Sequence, residues 1–143
     1  MRDISNKIKR AACQPAKVFT ADSDGTTVDT LGFMSCAFTV DSGIEGDTLS
    51  GSVKFDFILQ HSDDDSTFTA VTSSTDVTEG SVDSSGIFLT LDANGETPQI
   101  SGIGYVGGKR YVRVKIDATG THSNGTPICV NAILGDPIDS TDA

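Results

Sequence analysis

The sequence predicts an all-β fold: a jelly roll or two-sheet β-sandwich of about eight antiparallel strands, preceded by an N-terminal arm. Three observations predict it. Several runs alternate apolar and polar residues with the two-residue period of a half-buried strand, the clearest being Val53, Phe55, Phe57 and Leu59, then Val112, Val114 and Ile116, then Ile128, Val130, Ala132 and Leu134. Fifteen glycines, with many Ser, Thr and Asp residues, cut the 143-residue chain into short runs separated by turns. Beyond residue 17 no segment carries a helical period. An eight-stranded barrel is the alternative architecture, and the irregular spacing and long middle connections favour the sandwich.

The elements follow in order. Ile4 and Ile8 are four residues apart and Ala11 and Ala12 extend the same side, so Asp3 to Ala12 reads as one short helix ended by Gln14-Pro15. Lys17 to Ala21 reads as a first strand and Asp22 to Gly25 as a turn. Thr26 to Leu31 reads as a strand, and so does Phe33 to Val40, with Met34, Cys36, Phe38 and Val40 inward. Asp41 to Gly51 is a glycine-bearing connection. Ser52 to Val71 holds a strand, an acidic interruption at His61 to Ser66, and a second short run anchored by Phe68, with Phe55, Phe57, Leu59 and Phe68 expected at the centre of the sandwich. A marginal strand is expected at Asp76 to Thr78 and a short one at Ile87 to Leu91, followed by an Asn94-Gly95 turn. Thr97 to Val106 carries Gly102 and Gly104, which suggest a bulge or a close backbone approach. Gly107-Gly108 turns the chain into the strand Lys109 to Ala118, and Pro127 to Leu134 closes the fold. This divides the chain into a basic arm (1–17), a sandwich (18–135) and an acidic tail (136–143).

Charge sharpens that division. Net charge is −10, but residues 1–17 hold five basic residues against one acidic, and residues 18–143 hold five basic against nineteen acidic. So acidic a body repels phosphate, which excludes nucleic acid as the expected partner. No apolar run reaches the ~18 residues a membrane-spanning helix needs, so no membrane partner is expected. The opening residues are charged with no apolar middle, unlike a secretory signal peptide. Cys13, Cys36 and Cys129 are widely spaced with no C-x-x-C pair, which argues against a zinc site and suits a reducing compartment. Cys36 and Cys129 read as small buried hydrophobes, and Cys13 as a free thiol in the arm.

The chemical motifs are few. Asp63, Asp64 and Asp65 could supply some calcium ligands, but no EF-hand spacing surrounds them, and adjacent aspartates favour a turn. His61 and His122 are the only histidines, and no nucleophile motif accompanies them. Gly102 to Gly108 is followed by a strand, so it lacks the helix N-terminus of a phosphate loop. No catalytic, cofactor or metal residue is assigned, and the chain is expected to be non-enzymatic and without cofactors. Two basic groups stand as candidate partner-binding residues: Arg2, Lys7, Lys9, Arg10 and Lys17 in the arm, and Lys109, Arg110, Arg113 and Lys115 beside Tyr111. The arm either binds an acidic surface or is a solvated terminus. The Lys109–Lys115 row either pairs with neighbouring aspartates or forms a docking patch.

Two separated pieces, Leu59 to Val71 (LQHSDDDSTFTAV) and Tyr105 to Gly120 (YVGGKRYVRVKIDATG), followed by the closing strand and ILGDPID, resemble the jelly-roll cement or decoration proteins of tailed bacteriophages. Those proteins show a strand, an S-D-D-x-S-T-F/W unit, a strand, then Y-x-G-x-K-R-Y-x-R-V. The resemblance spans roughly Gly51 to Asp136 and does not extend to the first 50 residues. It implies a structural virion protein on the outside of an HK97-type capsid, assembled in the host cytoplasm. It also implies the major capsid protein and further copies of the chain (dimer or trimer) as partners. A tail or head–tail junction protein and a carbohydrate-binding β-sandwich are the alternatives; the absence of Trp weighs against the last.

Overall fold

A computed structural model describes residues 3–139; Arg2 and the last four residues of the acidic tail lie outside them. Ten strands form two antiparallel sheets: β1 Ile8–Phe19, β2 Val28–Asp29, β3 Phe33–Ser42, β4 Lys54–Ser62, β5 Thr69–Ala70, β6 Val77–Thr78, β7 Ile87–Leu91, β8 Gln99–Tyr105, β9 Tyr111–Thr119 and β10 Thr126–Pro137. One sheet runs β1-β10-β3-β8-β6. The other runs β2-β9-β4-β5, and β7 pairs with β4 beside β5. Setting aside the two-residue β5 and β6, the pairs β1·β10, β2·β9, β3·β8 and β4·β7 are those of one long hairpin wrapped on itself. That wrapping is a jelly roll, so the predicted fold class holds.

The core comes from the alternation. Phe38 and Val40 of β3, Ile103 of β8, and Val130, Ala132 and Leu134 of β10 face Phe55, Phe57 and Leu59 of β4 and Val112, Val114 and Ile116 of β9, all buried. Register pairs large with small, as in Phe38 opposite Ala132 and Leu59 opposite Val114, which lets the layers interlock. Apart from Ile58, the outward residues of β4 and β9 are polar or charged. Those of β1, β3 and β10 are mostly small or uncharged, among them Ala12, Ala37, Thr39, Asn131 and Ile133.

Several expectations are corrected. Ser5–Lys7 form a single 3₁₀ turn, but Ile8 onward is extended: the expected helix is the N-terminal half of β1. A ten-residue helix is marginal alone, whereas the strand gains a full ladder with β10. The division between arm and body at residue 17 therefore falls inside a strand. Met34 is 78% exposed rather than inward, because it precedes Cys36, the first residue of β3 that β8 covers. Phe68 is only half-buried and lies outside the core.

The thiols also differ from expectation. Cys13 is fully buried, its Sγ accepting the Val114 N–H at 3.2 Å, while Cys129 sits half-exposed on the outward face of β10. Burial pushes the Cys13 thiol up to about 11 and the Cys36 thiol up to about 12. Iodoacetamide should therefore modify Cys129 well before the other two in the folded protein, and all three in urea, as followed by peptide mass spectrometry. Early labelling of Cys13 would show that β1 opens readily.

Candidate functional site

The two motif pieces that carry the family resemblance meet at one corner of the sandwich. Pairing of β4 with β9 places Gln60 opposite Arg113 and Ser62 opposite Tyr111. The connection after β4 then folds back over β9. Asp64 organises it: one carboxylate oxygen accepts the Ser62 hydroxyl at 2.8 Å and the N–H groups of Ser66 and Thr67 at 3.0 and 2.7 Å. These bonds hold the Asp64 carboxyl down at about 2, the Thr67 N–H contributing most. Asp65 turns the chain with φ +57°, a conformation aspartate tolerates. The three aspartates thus diverge, Asp64 into the turn and Asp63 toward Lys109 at 3.5 Å. Among the described residues no cluster of His, Cys, Asp or Glu is arranged to hold a metal ion.

Tyr105 closes the corner from the other sheet. Its hydroxyl oxygen accepts the Lys109 N–H at 3.1 Å and lies 3.0 Å from His61 Nδ1. The hydroxyl proton is left to be donated to a neutral imidazole, and burial, then the Lys109 charge, lower the His61 pKa in that direction. Gly107 is required because a Cβ there would fall 2.6–2.7 Å from the Tyr105 ring and hydroxyl. The Y-x-G-x-K pattern therefore encodes a tyrosine tied across a tight turn, much as tyrosine corners pin other β-sandwiches. His122 lies elsewhere, buried in the β9–β10 loop against Phe55 with ring centroids 4.1 Å apart. Phe55 and His61 are six residues apart on one strand, roughly 20 Å, so the two histidines do not form one site.

The nine candidate cations divide sharply. Arg110 grips Asp29 with two bonds of 2.8 and 2.7 Å, which lower the Asp29 pKa. Arg113 donates to Gln60 at 2.8 Å, stacks 4.0 Å from the Phe68 ring, and lies 3.9 Å from Asp24. Lys115 reaches Asp117 at 3.7 Å and Lys109 reaches Asp63. The row on β9 is thus paired with neighbouring carboxylates, and Phe68, expected in the core, serves as the plate on which Arg113 lies. By contrast Lys7, Lys9, Arg10 and Lys17 make no ion pair with any described residue. Lys9 and Lys17 only lie over the Phe33 and Phe19 rings, at 5.8 and 4.7 Å. These four share β1 and the turn before it, and Arg2 is outside the described residues.

A latch holds β1 down, and nothing in the sequence pattern marked it. Buried Gln14 donates through Nε2 to the carbonyls of Ser23 and Val114, both at 3.0 Å, and its Oε1 accepts the Ser23 hydroxyl at 2.8 Å. Ser23 bridges to Ile116 of β9, and the Cys13 carbonyl accepts the Thr26 N–H. This segment closes the side of the sandwich at Cys13 and Gln14. An inward glutamine beside an inward cysteine breaks strand alternation and is permitted by register shifts in β1 on either side of Gln14.

No family model matches the chain, and no curated protein matches it. Among solved structures, the SPBc2 prophage-derived protein YomS has a similar fold, with a TM-score of 0.52 over 90% of this chain and 93% of that chain, at 14% identity.

Proposed function

We propose that this chain is a phage virion structural protein that seats on the outside of a capsid and stabilises the shell, without catalytic activity, its partners being the shell protein and neighbouring copies of itself. The fold it shares with a prophage-derived protein supports the phage context. So does the corner built from both motif pieces, whose residues are committed to holding loops in place. The observation that carries docking is the division of cations: all five in the body are ion-paired, and all four described on β1 and its preceding turn are not. Unpaired charge on an otherwise acidic protein is available for an acidic partner, and many weak contacts repeated over a shell become collectively strong.

The test is co-sedimentation with undecorated shells of the phage that encodes the chain. Deleting residues 1–16 would remove most of β1 and unseal the core, so charge reversal is the cleaner perturbation. The chain should bind and raise the temperature at which shells rupture. The fourfold variant Lys7→Glu, Lys9→Glu, Arg10→Glu, Lys17→Glu should stay folded and lose binding. Absence of binding by the unaltered chain, or gold label found on tails in electron micrographs, would overturn the proposal.

A further inference from the structure

Among the described residues, β1 is the one long edge strand that carries charge. On one side it pairs with β10 along its length. On the other, the latch and Thr26 cover it at Cys13 and Gln14, while the outward backbone groups of Ile8 to Ala12 bond to no described residue. Pro15 and the register shifts around Gln14 end that open run. The remaining edges are different. β2, β5 and β6 are two residues long. β7 and β8 (IFLTL and QISGIGY) contain no charged side chain. An exposed edge is a template for another strand, and five residues of it span about 17 Å.

We propose that the open edge of β1 from Ile8 to Ala12 takes up an extended acidic segment of another chain as an added strand, its charge matched by Lys7, Lys9, Arg10 and Lys17. Main-chain bonds supply the affinity in such pairing, and side-chain charge selects the partner. A second copy presenting the same edge is disfavoured, because two β1 strands would set Lys9 and Arg10 of one against those of the other. The inference extends the docking reading above by naming the partner's chemistry and the mode of contact, and it can fail separately from that reading.

The probe is an acetylated, amidated heptapeptide of alternating glutamate and valine, titrated into the full chain at low salt. Its controls are the lysine–valine counterpart and an acidic peptide of equal charge interrupted by two prolines. The glutamate–valine peptide should bind at least about tenfold more tightly than either control. It should also slow amide exchange within Ile8 to Ala12, and Lys9→Glu with Arg10→Glu should invert the preference toward the lysine–valine peptide. Equal affinity for the proline-interrupted peptide would reduce the effect to bulk charge and overturn the proposal. So would protection at β7 or β8 instead, or no binding by any peptide, which would leave the cations as guards against strand pairing. Peptide binding without shell binding would sink the capsid reading alone; shell binding with unchanged exchange at Ile8 to Ala12 would sink the edge-pairing inference alone.

Discussion

Phe57→Ala is expected to cost roughly 3–5 kcal/mol of folding stability, a large share of the 5–15 kcal/mol that holds a typical domain together. Phe57 is wholly buried in the middle of β4, with Ile116 opposite on β9, Leu89 opposite on β7, and the Phe88 ring 6.3 Å away. Truncation removes its burial energy and leaves a void that strands fixed on both sides cannot close. Phe68→Ala is the contrast. That ring is half-buried, and its main partner is the Arg113 guanidinium, so the expected loss is about 1 kcal/mol. Urea unfolding of the two variants, with unchanged dependence on denaturant, checks this ordering. Equal losses would mean that Phe68 belongs to the core after all.

Gln14→Leu should cost about 2–4 kcal/mol although it places an apolar side chain in a buried position. The leucine removes the Nε2 donor to the buried Val114 carbonyl and the Oε1 acceptor of the Ser23 hydroxyl, while the Ser23 carbonyl keeps only the Ile116 N–H; each polar group left unpaired costs about 1–3 kcal/mol. Gln14→Glu gives the same site a sign test. An ionised carboxylate would face two carbonyl oxygens and repel both. The protonated acid could still donate to one of them while accepting from Ser23. Its folded-state pKa would therefore lie above the unfolded value, and the stability it contributes would be present at low pH and lost as pH rises. The carboxylates of Asp29, Asp47 and Asp64 have lowered pKa values, so their contribution runs oppositely: present above the unfolded carboxylate range and lost as pH falls. The measurement is therefore the difference in urea midpoint between Gln14→Glu and the unsubstituted chain at each pH. That deficit should be largest near neutrality and shrink toward pH 4; a deficit constant with pH would show that Gln14 acts by packing alone.

The strands with strict alternation could be read directly. Ile87–Leu91 falls where expected, and β4, β9 and β10 lie within a few residues of their predicted bounds with the predicted inward faces. Alternation is enforced there by burial of one face, which leaves its mark on residue type. β1 could not be read in this way. Its register shifts allow Cys13 and Gln14 to be buried in succession, and Ile4, Ile8, Ala11 and Ala12 happen to fit a helical spacing. The corner was half-visible. Its residues stood out as motif pieces, but the contacts of Tyr105 with His61, and of Arg113 with Phe68, depend on which strands become neighbours. The same limit applied to the cations. Sequence separated the basic arm from the body, but only the fold shows that the β9 row is matched by carboxylates and the β1 group is not.

The placement of β10 also has a consequence for biosynthesis. β10 lies between β1 and β3, so β1 has no ladder partner until β10, more than a hundred residues later, has been made. Residues Ile8–Phe19 must wait for Thr126–Pro137, and the sheet they share cannot assemble vectorially as translation proceeds. β4 meets β7 after far fewer residues, so the opposite sheet can begin first. Closure of this sheet is thereby tied to synthesis of β10, and a polypeptide truncated before residue 126 would keep an unsealed side rather than a smaller working domain.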